Sequence, residues 1–409
     1  MQKLSFFSFL KHSIPSAIWA IGISSLLINL ATSVVFSGSA LYLKTVLGVA
    51  VSTIGVIEAV VEGVAYGIRI FSGIISDYFK KRKILMIIGF IMLTISKPLL
   101  AFSKTFMGIF IARAIDRIGN GIQASPREAL ISDSSPKEIK GACFGLRQSL
   151  ALIGSTLGGL FGIVVMFLSK NDFQLLFLLA GIPALIAVFI LAIFVKEKQH
   201  KSHNNTENSN RRKIKFQDLI LLGKNFWLLM FIVIIFMLGR FSEVFISLHA
   251  CGNFGLNLAY GTAITMVFNL LSTIVAYPTG KLSDRIDRTH VLLIGFMVLF
   301  LAHISMGFAT NLIWIFLGTI FWGIQKGMTD SLFSTLISDY IPEELRGTGF
   351  GVYYLIVSAS TAFATIIAGF VSQKNGEGMA FICGAVFSFI ALSLLVIFRK
   401  KLQNNSSVS

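Results

Sequence analysis

Glu58, Glu62 and Arg69 lie within the apolar stretch VIEAVVEGVAYGIRI, residues 56–70. At about 100° per residue, an α-helix would bring all three side chains to one face. A carboxyl group held away from water can take up and release a proton near neutral pH, and a guanidinium can hold an anionic group. Glu62 and Arg69 would lie about 10.5 Å apart along the axis, so we expect a water, a substrate or another helix to bridge them. Glu62 is therefore the first candidate proton carrier and Glu58 the second.

Nine more charged residues lie in stretches that are otherwise strongly apolar. In hydrocarbon, each would cost about 2.5–3.5 kcal/mol even on a mild insertion scale, so most of them must face one another or water. Three of the acids, Asp116, Glu243 and Asp330, are further proton-carrying candidates. The nine residues are Lys97, Arg113, Asp116, Arg117, Arg147, Arg240, Glu243, Lys326 and Asp330.

Several of these charges also form a candidate substrate cavity. The twelve charges in apolar stretches comprise seven positive and five negative residues. This excess favours a substrate with a carboxylate or phosphate, although a bound proton would change the count. Arg240–Glu243 (i, i+3) and Lys326–Asp330 (i, i+4) are equally well explained as self-neutralising structural pairs. The cavity candidates are Asn29, Arg69, Arg113, Arg117, Arg240, Asn269, Gln325 and Lys326.

Four residues in the apolar stretches have explanations that need neither a substrate nor a proton. Lys97 and Arg147 lie nearer the ends of their stretches, so we expect their long side chains to extend toward the membrane surface. His249 and His303 stand alone, without partners at metal-ligand spacing. We expect them to be packed or interfacial histidines rather than proton relays.

The elements that carry these residues must be membrane-spanning helices. The 409-residue chain is 55% hydrophobic and 13% charged, with a mean hydropathy of +0.80, whereas soluble domains are about 25% charged. Apolar blocks of about 20 residues, long enough to cross a bilayer, recur throughout. We predict an all-α polytopic membrane protein with twelve transmembrane helices. They cover residues 16–42, 50–75, 84–102, 106–125, 139–168, 173–195, 226–250, 257–279, 291–309, 311–332, 346–371 and 378–398.

The net charge of +16 reflects topology rather than nucleic-acid binding. With both termini on one side, 24 of the 35 Lys and Arg lie on that side, and only Lys44, Lys104, Lys170 and Lys374 lie on the other. The positive-inside rule then places both termini in the cytoplasm. Three scattered cysteines predict neither disulfides nor a metal site, and no cofactor or cleaved signal peptide is predicted. No GxxxxGK[ST] loop for ATP is present.

The sequence repeats itself at about half its length. SGIISDYFKKRK (72–83) matches TGKLSDRIDRTH (279–290) at a shift of 207 residues, and LISDSSPKEIKGACFG (130–145) matches LISDYIPEELRGTGFG (336–351) at a shift of 206. We therefore predict two pseudo-repeated six-helix bundles, residues 1–195 and 221–409. A basic cytoplasmic linker, 196–220, joins them, and a short cytoplasmic tail ends the chain.

These repeated motifs resemble those of the major facilitator superfamily over nearly the whole chain. GIISDYFKKRK and GKLSDRIDRTH are similar to its signature loops after the second and eighth spans. RIGNGIQA (117–124) is similar to its fourth-span motif, and GSTLGG (154–159) to its fifth-span antiporter motif, with Ser155 where a proline is usual. Gly154, Gly158 and Gly162 are also explained as a small-residue packing face.

One bacterial branch of the superfamily shows a narrower resemblance. DRIGNGIQASPREALISD (116–133) and FGLRQSLALIGSTLGG (144–159) resemble poorly characterised exporters similar to drug–proton antiporters. The branch carries acids at the positions of Asn29, Ser33 and Ala151, which are neutral here. The resemblance therefore implies that coupling is either lost or moved to Glu58 and Glu62.

The signature loops have a physical rationale of their own. An aspartate after one helix can meet the positive N-terminal end of another, with a nearby arginine as partner. Asp77 and Asp284 fit this role, with Arg82 and with Arg285 or Arg288, and such a cytoplasmic latch would favour an outward-open state. Small residues would allow close helix approach. The gating candidates are Gly73, Asp77, Arg82, Arg127, Asp133, Gly280, Asp284, Arg285, Arg288, Asp339 and Arg346.

Together these features predict a secondary transporter that works by alternating access. The leading hypothesis is proton-coupled efflux of a small organic molecule. The alternative is proton-coupled uptake or exchange of a metabolite or organic anion, with a non-transporting membrane sensor as a remote third. An enzyme is not predicted, because no nucleophile–base or metal set is visible. We expect a monomer in a bacterial plasma or inner membrane, with lipid, protons and the substrate as partners.

Overall fold

The computed structural model describes residues 14–197, 222–254 and 258–403, which are almost entirely helical. The described helices correspond to the twelve predicted spans, with the seventh divided in two, and this confirms the predicted fold class. They are α1 (Ser16–Thr45), α2 (Val51–Phe79), α3 (Arg82–Phe102), α4 (Phe106–Ser134), α5 (Lys140–Leu168), α6 (Phe173–Phe194), α7 (Gly223–Gly239), α8 (Val244–Phe254), α9 (Leu258–Ser283), α10 (Arg288–Gly307), α11 (Leu312–Tyr340), α12 (Arg346–Asn375) and α13 (Glu377–Gln403).

The predicted seventh span, 226–250, is wrong as a single helix. α7 ends at Gly239 and α8 begins at Val244, with residues 240–243 outside any helix. The helices of the predicted fourth and tenth spans, α4 and α11, continue beyond those spans to Ser134 and Tyr340. Their last two turns carry polar residues that are buried in protein, and hydropathy alone therefore ended these helices too early.

Composition separates the helices into two groups. Among the described residues, eight helical segments are long and apolar enough to cross a membrane, with α7 and α8 counted together. The remaining long helices are α2, α4, α9 and α11. Of these, α4 carries five buried charged residues, and the charged residues of α11 are half-buried. Large apolar side chains on other helices face outward, such as Phe167 at 84% and Phe370 at 71% exposed, as expected for contact with lipid tails.

The chain forms two compact units. Unit 1 contains residues 1–139, 150–221 and 342–354, and unit 2 contains residues 140–149, 222–341 and 355–409. The first turns of α12 thus belong to unit 1, and the first turns of α5 belong to unit 2.

Both units repeat one packing pattern. In unit 1, α1 packs on α6, α2 on α4, and α3 on both α4 and α6. In unit 2, α7 packs on α13, α9 on α11, and α10 on both α11 and α13. The sequence repeat therefore extends to the arrangement of helices inside each unit.

The glycines of the GSTLGG motif pack α5 against α1. A Cβ added to Gly154 or Gly158 would overlap the backbone of Leu26 or Leu30, respectively, whereas one added to Gly162 would meet nothing within 4 Å. The packing explanation thus holds for the first two glycines, because no side chain separates the two backbones there. Gly162 does not belong to this contact.

Candidate functional site

Glu62 lies opposite an arginine of the neighbouring helix in unit 1. Arg117 of α4 donates to Glu62 Oε2 of α2 at 3.3 Å. The Glu62 side chain keeps 34% of its exposure, whereas Arg117 keeps 9%. The pair is therefore close enough to neutralise itself, while the carboxylate stays accessible. The side chain of Glu58 lies outside what the structure describes.

Asp116 is enclosed by cations. Lys97 Nζ of α3 donates to Asp116 Oδ1 at 2.7 Å, and Arg117 donates to Oδ2 at 2.8 Å. Ser96 Oγ adds a third hydrogen bond at 3.0 Å, and both Lys97 and Asp116 are fully buried. The expectation that Lys97 extends to the membrane surface is wrong, because an acid on the next helix provides a partner inside the protein.

The guanidinium of Arg69 and the carboxylate of Glu62 have different partners. The guanidinium stacks 4.5 Å from the ring centroid of Tyr66 and 4.9 Å from that of Tyr354, and it donates to Asn120 Oδ1 at 3.3 Å. The side chains of Arg69 and Glu62 thus have separate partners on α4 and α12, and a bridge between them through water or substrate stays a prediction. Two polar residues of one α4 face, Arg117 and Asn120, contact Glu62 and Arg69 of α2, respectively.

Two further arginines of the apolar stretches are enclosed in protein. Arg113 is fully buried and lies 5.5 Å from the ring centroid of Phe36. Arg147 is only 6% exposed, so the expectation that it extends to the surface is also wrong. Arg147 lies in the first part of α5, which packs inside unit 2.

Unit 2 contains a separate group of four charges at the gap between α7 and α8. Arg240 donates to Asp330 of α11 at 2.6 Å, and Lys326 of α11 donates to Glu243 at 2.7 Å. Each pair therefore joins a residue of the gap to a residue of α11, instead of following the i, i+3 or i, i+4 spacing. Lys326 Nζ also lies 4.9 Å from the ring centroid of Phe268.

Two of the three uncharged cavity candidates, Asn29 and Gln325, use their side-chain amides in hydrogen bonds within their own helices. Asn29 Nδ2 donates to the carbonyl oxygen of Ser25 on its own helix at 2.7 Å. Gln325 is fully buried and donates to Thr329 Oγ1 at 2.8 Å, so it packs inside unit 2. Asn269 is part-exposed on α9. The three neutral positions Asn29, Ser33 and Ala151 all lie in unit 1.

Asp77 and Asp284 lie where the sequence predicts, each at the N-terminus of another helix. Asp77 accepts from the Gly347 and Thr348 amides of α12 at 2.9 and 2.6 Å, and from the Thr348 hydroxyl at 2.8 Å. Asp284 accepts from the Gly141 and Ala142 amides of α5 at 2.7 and 2.8 Å. Burial raises the pKa of Asp284, and the two amide donors oppose that rise.

Glycines make these contacts possible. A Cβ on Gly73 would overlap the carbonyl of Gly347, and a Cβ on Gly280 would overlap that of Gly141. Any larger residue would hold the helices apart, so the aspartates could not reach the helix ends.

Each aspartate belongs to a four-residue charge set with repeat-equivalent members. The Asp77 charge set also contains Arg82, Asp133 and Arg346: Asp133 pairs with Arg82, and with Arg346 at 2.5 Å. Arg82 also lies 3.4 Å from Asp77. Asp133 is at the end of α4 rather than in a loop.

The Asp284 charge set contains Arg288, Asp339 and Lys140. Asp339 pairs with Arg288, and with Lys140 at 3.0 Å. Arg288 lies 3.4 Å from Asp284, whereas Arg285 is exposed. Of the two predicted arginine partners, the structure thus places Arg288 against the aspartate.

Glu128 is a buried acid that the sequence analysis overlooked. It is fully buried, accepts from Arg127 at 3.0 Å and accepts from the Tyr354 hydroxyl at 3.0 Å. Arg127 also donates to Gln123 at 3.1 Å. Glu128 lies beyond the predicted end of the fourth span. The Ser-Pro pair at 125–126 favours a turn there, so no sequence signal marked Glu128 as a buried helical residue.

The two histidines are packed in unit 2. His303 is fully buried and contacts the carbonyl oxygen of Leu299 at 2.9 Å. His249 is 2% exposed; Nε2 lies 3.0 Å from the carbonyl oxygen of Met306, and Nδ1 lies 3.6 Å from Glu377. Within the described ranges, no group of three His, Cys, Asp or Glu side chains could hold a metal ion.

Known proteins resemble the chain along almost its full length. An uncharacterized MFS-type transporter of Methanocaldococcus jannaschii is 29% identical over 93% of this chain and 94% of its own. The human organic anion transporter MFSD10 has a TM-score of 0.75 at 15% identity and covers 93% of this chain and 99% of its own. The Escherichia coli fucose:proton symporter FucP has a TM-score of 0.73 at 13% identity and covers 93% of this chain and 97% of its own.

The structural likenesses show the fold, and the family follows from the sequence. The family model described as Major Facilitator Superfamily matches residues 21–359 and 244–408. Members of this family are membrane transporters and not enzymes. The chain therefore belongs to the Major Facilitator Superfamily.

Proposed function

We propose that the protein is a proton-coupled secondary transporter that exports a small organic molecule by alternating access. The observation that carries this proposal is the Glu62–Arg117 pair, an ion pair between two helices with a carboxylate that is still 34% exposed. Protonation of Glu62 removes its charge, so the Arg117 N–H that it held can bind another anion while Asp116 keeps the rest of the guanidinium in place. Proton binding at Glu62 thereby changes the ion pairing between α2 and α4, which is a direct physical basis for coupling.

The surroundings of the pair favour Glu62 over Asp116 as the proton carrier. Asp116 is fully buried between Lys97 and Arg117, and protonating it would leave Lys97 without its counter-charge in a low-dielectric region. Glu62 pairs with Arg117 and keeps 34% of its side-chain exposure, so its protonation leaves no fully buried cation behind. Asp116 thus serves to position Arg117.

Export as the direction is supported by the resemblance of the GSTLGG motif (154–159) to the fifth-span antiporter motif. Uptake or exchange is the second candidate, favoured by Ser155 at the position usually taken by proline in the antiporter motif. The organic anion transport named for MFSD10 agrees with an anionic substrate, which the excess of positive charge also favours.

The Asp77 and Asp284 charge sets are the proposed gates. Each holds the first amides of one helix through a buried or half-buried aspartate, and breaking either set would free that helix end to move. We further propose a monomer in a bacterial inner membrane, with both termini and the basic linker 196–220 in the cytoplasm and with residues 1–195 and 221–409 as the two six-helix halves.

The test uses purified protein in liposomes that contain a pH-sensitive dye, under an imposed pH gradient. Pooled bacterial metabolites and antimicrobials are added to the wild type, to Glu62→Gln and to Glu138→Gln, an exposed acid outside the site. We expect compound-dependent proton movement in the wild type and in Glu138→Gln, and its loss in Glu62→Gln.

Two other results would change the proposal. Proton movement that persists in Glu62→Gln would transfer coupling to another acid. Compound exchange without any proton movement would contradict proton coupling and leave a uniporter or exchanger.

A further inference from the structure

The gap between α7 and α8 is held open by tertiary contacts. α7 ends at Gly239, α8 begins at Val244, and the segment 223–254 contains no proline that would force a break. Inside a membrane, non-helical backbone is tolerated only where protein buries it or where it lines a polar cavity. The Ser242 amide donates to Thr365 Oγ1 at 3.1 Å, so a side chain of α12 replaces the missing helical partner.

The two charges at the gap match the ends of the helices they flank. Arg240 follows the C-terminal end of α7, where backbone carbonyls carry partial negative charge, and Glu243 precedes the N-terminal end of α8, where amides carry partial positive charge. Both side chains reach α11, where Lys326 and Asp330 are one turn apart. The gap therefore lies near the middle of α11, and broken helices at this depth are where secondary transporters bind their substrates.

The four charges sum to zero, and none is sealed from solvent. Asp330 and Glu243 keep 24% and 32% of their side-chain exposure, and Arg240 and Lys326 keep 11% and 19%. Ion pairs that remain accessible can exchange partners with a ligand, whereas a fully buried pair such as Lys97–Asp116 cannot do so without exposing a buried charge.

The need to keep all four charges of the gap paired indicates which charges a ligand must carry. An anion that takes Arg240 from Asp330 leaves a carboxylate without a counter-charge, and a cation that takes Asp330 leaves the guanidinium alone. A molecule with both charges replaces both partners at once, so every ion stays paired. We propose that the gap between α7 and α8 binds a small zwitterion that carries one ammonium group and one carboxylate, sulfonate or phosphonate group.

This assignment rests on the proposed transport function and names its substrate class. The anionic group would lie on Arg240 or Lys326, and the ammonium group on Asp330 or Glu243. Glu243 and Asp330 then bind the ligand, and Glu62 remains the proposed proton carrier. The ring of Phe268, 4.9 Å from Lys326 Nζ, gives an ammonium group a further attractive surface.

The test measures binding, separately from transport, on the purified full-length chain in detergent. Thermal unfolding is followed with glycine, β-alanine, γ-aminobutyrate or taurine as zwitterions, and with butyrate or butylamine as ligands of single charge. We expect at least one zwitterion to raise the melting temperature progressively with its concentration, and butyrate and butylamine to leave it unchanged.

Paired substitutions locate the site. Arg240→Gln with Asp330→Asn removes both members of one pair, so no charge is left alone; Lys326→Gln with Glu243→Gln does the same for the other pair and is used if the first variant does not fold. We expect the apparent Kd of the active zwitterion to rise about 10- to 100-fold, the effect of losing a charge-assisted hydrogen bond. Lys224→Gln, at an exposed position of α7, should bind normally.

Three results would overturn the proposal: equal stabilisation by butyrate or butylamine alone, stabilisation by none of the zwitterions, or zwitterion binding unchanged in the paired variants. If binding fails while compound-dependent proton movement persists in liposomes, only the substrate class is wrong. If zwitterions bind but proton movement is absent for every compound, the coupling proposal fails and the site stands.

Discussion

The buried pair of Lys97 and Asp116 illustrates how a charge near the end of an apolar segment can be held inside the protein. The side chain of Lys97 is long enough to reach the membrane surface, which would avoid desolvation. Instead its ammonium group is fully buried and lies 2.7 Å from Asp116 Oδ1. The same carboxylate orients Arg117, which in turn meets Glu62. Lys97 therefore supports the proposed proton site without touching it.

Lys97→Met is expected to destabilise the protein strongly. Removing one member of a buried ion pair leaves the other charge uncompensated, which costs about 3–5 kcal/mol. Thermal unfolding in detergent should show a clear drop in melting temperature. Lys104→Met removes an exposed lysine just beyond the same helix and should have little effect; equal melting temperatures for both variants would show that Asp116 does not depend on Lys97.

At this scale, helical spacing predicted which side chains share a face but not which partners they bind. The shared face of Glu62 and Arg69 follows from helical spacing, yet their partners Arg117 and Asn120 lie on another helix. Such partners depend on how α2 and α4 pack, which no local spacing encodes. Glu128 was overlooked because it follows the apolar part of its helix.

Among the helices, the repeated motifs were the most predictable feature and the gap was the least. Asp77 and Asp284 could be placed at helix ends because a short connection after a helix leaves few alternatives for a buried acid. The gap at 240–243 has no proline to mark it, and the spacing of Arg240 and Glu243 fits an unbroken helix equally well. Only the contacts of residues 240–243 with Asp330, Lys326 and Thr365 distinguish a broken helix from an unbroken one.

Gly73→Ala tests the close approach of α2 to the start of α12. The added methyl group would overlap the Gly347 carbonyl, and overpacking of this kind costs about 1–3 kcal/mol. We expect a lower melting temperature and slower transport. Gly162→Ala makes the same chemical change in α5 where nothing lies within 4 Å; it should be neutral or slightly stabilising, since alanine favours the helix by up to about 1 kcal/mol. A Gly73→Ala protein as stable as Gly162→Ala would contradict the contact.

For the molecule as a whole, the repeat fixes more than the number of helices. The two units share one packing pattern, and the Asp77 and Asp284 charge sets have equivalent members at a shift of 206 or 207 residues. Hydropathy and the repeat were enough to predict a twelve-span membrane protein. They could not predict that α5 and α12 each contribute their first turns to one unit and the rest to the other, because this exchange depends on tertiary contacts.

Asp133→Asn and Asp339→Asn are expected to have matching effects. Each substitution removes the acid that neutralises two cations, Arg82 and Arg346 in one set and Arg288 and Lys140 in the other. Losing a charge-assisted contact of about 1.5–3 kcal/mol shifts a two-state equilibrium by about 10- to 150-fold. Transport rates in liposomes should fall in both variants by similar factors. A loss confined to one variant would show that the two sets are not functionally equivalent.

The exchanged first turns of α12 have a consequence for biosynthesis. Asp77 obtains its amide partners from Gly347 and Thr348, which are translated 270 residues or more after it. At about 5–20 residues per second, the ribosome needs tens of seconds to reach them. During that interval, Asp77 of the newly inserted N-terminal half lacks the amide partners of α12. Unit 1 can be completed only when the second half of the chain emerges.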